Sequence, residues 1–141
     1  MISAILALHF LIVSAGPEQL DLRLMQGTWI VKKAIVEGKN EPELVGAVVV
    51  VSDNTIRALD PKGTPGPVWH LRLCTSKRPK ELLAFDTQGR LIIRAAYDLR
   101  PGELILIYPY QQPLRLVMLP IADKQNLPTI LSLVRPGKLR N

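Results

Sequence analysis

Two side chains suited to nucleophilic or metal chemistry, His70 and Cys74, stand four residues apart in one apolar stretch of the chain. On an extended strand this spacing puts both on one face, about 13 Å apart, which is too far for one metal ion or for a nucleophile and its base. Beyond the first fifteen residues the chain has no other His or Cys. The sequence therefore predicts neither a metal site nor a Cys–His catalytic pair.

Three aspartates, Asp60, Asp86 and Asp98, follow or end apolar stretches and could meet in space as a general acid and base. An Asp at the end of a strand more often accepts hydrogen bonds from the backbone of a turn. The chain also lacks Gly-x-Ser-x-Gly, phosphate-loop and His-Glu-x-x-His patterns. An enzyme is the least favoured function, and we predict no catalytic residue and no cofactor.

The chain of 141 residues carries 18 Lys and Arg against 12 Asp and Glu, a formal net charge of +6. The basic side chains concentrate around residues 72–80 and near the C-terminus at 135–140. Nucleic-acid binding would need such charges among exposed aromatic side chains, and the chain has only seven aromatic residues. We expect solvated turns, or a weak contact with anionic surface polymers, and no nucleic acid.

The first fifteen residues contain no charged side chain and end in the small residues Ser14 and Ala15. A short apolar run with such an end is typical of a secretory signal peptide, and it is shorter than the roughly 20 residues of a membrane span. The alternative is a buried first strand or helix of the domain. We expect a signal peptide at 1–15, one domain at 16–141, no transmembrane span, and a secreted or periplasmic protein.

Beyond Gly27 the apolar residues come in short runs rich in Val, Ile and Leu and separated by turn-forming residues. These runs are Trp29–Val36, Ala47–Val51, Thr55–Leu59, Val68–Leu73, Leu82–Phe85, Leu91–Tyr97, Leu104–Tyr108, Leu114–Leu119 and Thr129–Val134. Frequent prolines exclude long helices, and only Pro17–Met25 has helical spacing. The pattern predicts an all-β antiparallel sandwich or barrel with a short N-terminal helix.

Residues Leu24–Lys39 contain a Gln-Gly-Thr-Trp start, an alternating strand and a Gly-Lys turn. With Tyr97–Leu99, the following turn and Leu104–Leu106, and with the closing Thr129–Arg135, this pattern resembles the planctomycetal lipocalin-like family of small, usually exported bacterial domains. At Gln111–Leu119 the chain departs from that family, which usually has an Arg-Pro pair and an aromatic there. The resemblance implies an up-and-down barrel of about eight strands, either hollow or filled with side chains.

The resemblance also implies how one end of the barrel closes. In lipocalin-like barrels a Trp after a Gly, near the start of the first strand, plugs one end, and a basic residue from the last strand often lies over its indole. Trp29 and Arg135 match these two places. Such a contact contributes about 0.5–2 kcal/mol to stability.

If the barrel is hollow, its walls come from the inward faces of the predicted strands. The candidate wall residues are Trp69, Leu71, Leu73, Leu91, Ile93, Tyr97, Leu104 and Leu106. Two functions therefore stay open: an exported, non-enzymatic barrel that binds a small apolar ligand, or a cell-envelope structural or interaction module with a filled interior. In the second case Val48, Val50, Ile105 and Ile107 would form an outer patch for envelope proteins.

Overall fold

The computed structural model describes residues 16–108 and 128–137. A short helix, α1 (Pro17–Met25), comes first, and a single 3-10 turn at Pro42–Leu44 interrupts the strands. The strands are β1 (Gly27–Val36), β2 (Lys39–Asn40), β3 (Val48–Ser52), β4 (Thr55–Leu59), β5 (Pro65–Cys74), β6 (Glu81–Phe85), β7 (Leu91–Arg100), β8 (Glu103–Tyr108) and β9 (Thr129–Val134). The expected signal peptide at 1–15, the run Leu114–Leu119 and the departure from the family at Gln111–Leu119 lie outside the described residues.

Eight of these strands form a closed antiparallel barrel in the order β1-β3-β4-β5-β6-β7-β8-β9. The barrel closes where β9 pairs with β1, from Ile30 opposite Val134 to Ile35 opposite Ile130. The two-residue β2 only extends the sheet beside the end of β1. β8 and β9 pair directly along their lengths, from Glu103 opposite Val134 to Tyr108 opposite Thr129. The predicted all-β, up-and-down barrel of about eight strands with a short N-terminal helix is confirmed.

The two ends of the barrel carry different connections. One end, which we call the helix end, holds α1 and the turns β3–β4, β5–β6 and β7–β8. The opposite end holds the turns β4–β5 and β6–β7, and we call it the cavity end because an internal cavity lies toward it. The buried core lies toward the helix end and includes Met25, Trp29, Val51, Leu73, Tyr97, Leu104 and Leu133. No helix in residues 16–108 and 128–137 is long and apolar enough to cross a bilayer.

A β-bulge in β1 interrupts the alternation of inward and outward side chains. The register with β9 shifts between Val31 and Lys33, so β1 has one extra residue there. Val31 and Ala34 are buried, while Lys32 and Lys33 between them are both exposed. The bulge therefore puts two consecutive lysines on the outer surface.

A second bulge lies at the start of β7 and changes the position of a predicted wall residue. Ala84 pairs with Ile93, and Phe85 pairs with Leu91, so Ile92 is the extra residue. Ala84 faces the interior, hence Phe85 and its partner Leu91 face outward. Leu91, which strict alternation assigns to the interior, is 49% exposed.

Candidate functional site

Trp29 plugs the helix end of the barrel. Its side chain is 1% exposed, and its indole N–H donates to the Met25 carbonyl at the end of α1 over 2.9 Å. The Arg135 guanidinium lies 3.8 Å from the ring centroid and also donates to the Leu24 carbonyl at 2.8 Å. Burial lowers the pKa of Arg135, but arginine keeps its charge at physiological pH. Trp29 and Arg135, which the sequence analysis pairs, are thus in contact. Together they connect α1, β1 and the residue after β9.

The two residues before Thr28 explain the rest of the Gln-Gly-Thr-Trp motif. The Gln26 side-chain amide donates to the Asp53 carbonyl at 2.8 Å, and its oxygen accepts from the Asp53 N–H at 2.7 Å. Gly27 has a φ of +106°, and a Cβ there would lie 3.0 Å from a guanidinium nitrogen of Arg135. Glycine is needed because this backbone conformation coincides with the close approach of Arg135. The motif therefore builds the plug.

A second contact attaches α1 to the barrel. The Tyr97 hydroxyl donates to Asp21 Oδ2 over 2.7 Å, and Lys80 Nζ lies 3.0 Å from the same oxygen. Tyr97 is buried, and burial, reinforced by the hydrogen bond to Asp21, raises its pKa. Tyr97 is therefore a neutral hydrogen-bond donor that holds the helix.

Glu81 is a buried carboxylate on the outer side of the barrel wall near the helix end. Its side chain is 2% exposed, with Lys77 Nζ at 3.0 Å and an Arg94 guanidinium nitrogen at 3.0 Å. Burial by itself raises the pKa of Glu81, but the hydrogen bonds and charges of Lys77 and Arg94 outweigh it and lower the pKa. This cluster fastens the β5–β6 connection to β7. An isolated Glu after several basic residues gives no sign of burial in the sequence.

The three aspartates considered as acid and base have separate structural roles. Asp60 Oδ1 accepts two backbone N–H groups of its own turn, at 3.0 and 2.8 Å. Asp86 Oδ1 does the same in the β6–β7 turn, with both distances 2.9 Å. Asp98 is exposed and forms an ion pair with Arg100 at 3.0 Å. The structure places them as turn-forming or surface groups.

The His70 and Cys74 pair gains no third ligand within the described residues. His70 is exposed, and Cys74 is a half-buried free thiol. Among residues 16–108 and 128–137, no three His, Cys, Asp or Glu side chains lie close enough together to hold a metal ion. This pair therefore supports no site in the described part of the chain.

The interior toward the cavity end contains an apolar cavity of about 90 Å³. It is lined by Val49, Ile56, Ala58, Trp69, Leu82, Ala84, Ile93, Ala95, Leu106, Tyr108 and Leu131. Leu82, Ala84 and Ala95 are at most 1% exposed and form its floor. Ala58 on the opposite side is exposed, and Trp69 beside it on β5 is half-buried. This gradient of exposure indicates that the cavity opens to solvent at the cavity end.

The small residues of the wall explain why this part of the interior is hollow. Ala58, Ala84 and Ala95 line the cavity from β4, β6 and β7, which also carry larger inward residues. A leucine at any of these positions would occupy space that alanine leaves empty. The alanines are visible in the sequence, but their meeting around one cavity depends on register and cannot be read from it.

The predicted wall residues separate into two groups. Those that line the cavity are Trp69, Ile93 and Leu106. Those that belong to the buried core are Leu71, Leu73, Tyr97, Leu104 and also Leu106. Leu91 faces outward because of the bulge at Ile92. The interior is therefore filled near the helix end and hollow near the cavity end.

Comparison of the chain with protein-family models, with curated proteins and with solved structures found no match. The resemblance to the planctomycetal lipocalin-like family stays a prediction from the sequence motifs. What the protein does is inferred from its own geometry.

Proposed function

We propose that the protein is a non-enzymatic barrel that binds a compact apolar group through its cavity end. The observation that carries this proposal is the apolar cavity of about 90 Å³, with a buried floor and an exposed rim. Sites for drug-sized ligands occupy about 300–1,000 Å³. The ligand is accordingly a small ring or the end of an alkyl chain, and a whole lipid would remain largely outside.

The size of the cavity also sets the affinity. A six-carbon ring buries roughly 150 Å² of surface, comparable with a small aromatic side chain. At about 25 cal/mol per Å² this gives about 4 kcal/mol. A free energy of that size corresponds to a dissociation constant of about 1 mM.

The test is a titration of the full chain with cyclohexane, followed by NMR of the methyl groups. We expect concentration-dependent shifts at Ala84 and Ala95 on the cavity floor and unchanged signals at Leu133, which packs in the core and does not line the cavity. Absence of any shift up to the solubility of cyclohexane, or equal shifts at Leu133, would contradict binding in this cavity.

A pair of matched variants separates binding in the cavity from adsorption to the surface. Ala58→Phe puts an aromatic ring at the rim, and Val68→Phe adds one to an exposed outward position of the adjacent strand. We expect the first to weaken cyclohexane binding at least tenfold and the second to leave it unchanged. Equal effects of both substitutions would indicate surface adsorption.

A second function, as an interaction module, is favoured by one feature of the outer surface. Ile107 pairs with Ile130, which pairs with Ile35, and all three are half-buried on the outside of β8, β9 and β1. The exposed Lys32 and Lys33 flank this isoleucine row. These charges favour a partner with an acidic surface, such as an anionic envelope polymer or protein.

The four residues that the sequence predicts as one outer patch do not lie together in the structure. Val48 and Val50 lie on β3, whereas Ile105 and Ile107 lie on β8, and β9 and β1 separate the two pairs. All four are half-buried. The isoleucine row is therefore a continuous apolar strip, which the four predicted residues together are not.

Binding to poly-glutamate tests the interaction module. We expect salt-sensitive binding that the double variant Lys32→Gln, Lys33→Gln loses and that Lys62→Gln, in the exposed β4–β5 turn, retains. Binding that ignores salt, or that is equally weakened by Lys62→Gln, would contradict a role for the bulge lysines.

We also propose that the protein is exported, on the composition of residues 1–15 alone. Cleavage after Ala15 would leave 126 residues (141 minus 15). Intact-mass measurement of the full chain expressed in a bacterium tests this, since a mass that includes residues 1–15 in the exported fraction would contradict cleavage.

A further inference from the structure

Among the described residues that line the cavity, two carry a polar side-chain group, and both groups can donate a hydrogen bond. They are the indole N–H of Trp69 and the hydroxyl of Tyr108, and the other described lining residues are Ala, Val, Leu and Ile. Within residues 16–108 and 128–137, no hydrogen bond joins either group to another residue, and no buried side-chain nitrogen or oxygen lacks a partner, so both groups reach solvent. Two solvent-accessible donors therefore belong to residues that line an apolar space.

At the helix end, by contrast, a tryptophan and a tyrosine both have hydrogen-bond partners in the protein. The indole N–H of Trp29 donates to the Met25 carbonyl, and the hydroxyl of Tyr97 donates to Asp21. Buried indole and phenol groups usually find such partners, because an unpaired donor in an apolar site is costly. At Trp69 and Tyr108 water can accept these hydrogen bonds, and a ligand that enters the cavity can replace the water with an acceptor of its own.

The side chains that line the cavity also indicate whether its ligand is charged or neutral. None of the described residues that line the cavity is charged, so among them a carboxylate or ammonium group would lose hydration without gaining a counter-ion. Burial raises the pKa of Tyr108, which keeps the phenol neutral and able to donate at physiological pH. A pure hydrocarbon would fill the space without offering either donor an acceptor.

We propose that the cavity selects a compact neutral molecule with a hydrogen-bond acceptor, such as a ketone, ester or lactone carbonyl, placed against Trp69 and Tyr108. This inference rests on the proposed function and specifies the ligand class of the same cavity. A hydrogen bond from a neutral donor contributes about 1 kcal/mol, so losing one donor weakens binding about five- to tenfold.

The experiment compares cyclohexane with cyclohexanone as probes of similar size. For the intact chain we expect both to shift the methyl signals of the cavity floor. In Tyr108→Phe the affinity for cyclohexanone falls about five- to tenfold while the affinity for cyclohexane is unchanged. Trp69→Phe shows the same selective loss because it removes the other donor.

Tyr97→Phe is the matched control, because its hydroxyl is bonded to Asp21 at the helix end. It lowers stability but leaves the ratio of the two affinities unchanged. A third probe, cyclohexanecarboxylate, binds more weakly than cyclohexanone because the described lining residues include no cation.

The possible results separate this inference from the proposed function. If cyclohexane and cyclohexanone both fail to shift the floor methyls, the proposed binding function is wrong. If both bind but Tyr108→Phe weakens them equally or not at all, the cavity binds ligands without selecting an acceptor and this inference is overturned. Tighter binding of cyclohexanecarboxylate than of cyclohexanone would overturn it as well.

Discussion

The two ends of the barrel use the same aromatic residue types for different purposes. At the helix end Trp29 and Tyr97 are at most 4% exposed, and each donates a hydrogen bond to α1. At the cavity end Trp69 and Tyr108 are half-buried beside an empty space. The difference shows that the barrel concentrates its packing at one end and leaves an empty space toward the other.

The helix is the physical cause of this asymmetry. α1 brings the Met25 carbonyl and the Asp21 carboxylate to the aromatic groups of the helix end as acceptors. It also meets Arg135, which lies over the Trp29 ring. Substitutions at the helix end should therefore change stability, and substitutions at the cavity end should mainly change binding.

The largest expected effect is that of Trp29→Ala, which removes the plug. We expect the free energy of unfolding, measured with urea, to fall by about 3–5 kcal/mol, because a large side chain is removed from a packed core. Trp69→Ala is the control, and its loss should be smaller because Trp69 borders a space that is already empty. Equal losses for both tryptophans would remove the distinction between the two ends.

The next effect is a change in acid stability on Glu81→Gln. Because the folded protein lowers the pKa of Glu81 below its ordinary value of 4.5, ionised Glu81 stabilises the fold above that pH. This contribution is lost as the pH falls through the lowered pKa. Hydrogen bonds to a charged group contribute about 1.5–3 kcal/mol, so we expect Glu81→Gln to lose about 2 kcal/mol at neutral pH.

Urea denaturation of Glu81→Gln from pH 7 to pH 2 measures this effect. As the pH is lowered below 4.5, the free energy of unfolding should fall less in the variant than in the intact chain. Glu43→Gln, at an exposed position of the 3-10 turn, is the control. An unchanged slope of stability against pH in Glu81→Gln would show that the cluster does not contribute to acid unfolding.

Arg135→Leu should have an intermediate effect of about 1 kcal/mol, because it removes the cation from the Trp29 ring. The fluorescence of Trp29 should change as well, since the charge lies 3.8 Å from the centre of its ring. Arg100→Leu removes only an exposed ion pair and should cost less than about 0.5 kcal/mol. A loss for Arg135→Leu no larger than for Arg100→Leu would contradict the role of the cation.

The smallest effect, and the one of opposite sign, is expected from Ala84→Val on the cavity floor. Filling an existing cavity should raise the free energy of unfolding by about 0.5–1 kcal/mol and weaken cyclohexane binding. Ala34→Val enlarges an alanine of the packed core that does not line the cavity, so we expect it to lower stability by about 1–3 kcal/mol. Destabilisation by Ala84→Val would indicate that the cavity is smaller than described.

Local sequence pattern predicts the regular elements well. The helix Pro17–Met25 and the strands Thr55–Leu59 and Thr129–Val134 have the same bounds in the structure as in the prediction. These segments are short, strongly patterned and bounded by turn-forming residues. β5 begins earlier than predicted, at Pro65, because its first residues pair with only one neighbouring strand and can include proline there.

The sequence pattern does not predict the features that depend on register or on distant contacts. The bulges at Lys32 and Ile92 add one residue to a strand, and nothing in their residue types marks them. The contact between Asp21 and Tyr97 joins residues that are far apart in the chain. The cavity also cannot be predicted from local sequence pattern, since the alanines that line it come from separate strands and meet only after the barrel has closed.

The pairing of β1 with β9 has a consequence for the time at which the protein can complete folding. Ile30 meets Val134 across this seam, about a hundred residues later in the chain. Bringing such distant segments together costs roughly 4 kcal/mol of chain entropy. During synthesis β1 and β8 each lack a neighbour until residues 129–134 emerge from the ribosome. Before that point the sheet cannot close. The barrel is completed only when β9 pairs with both β1 and β8.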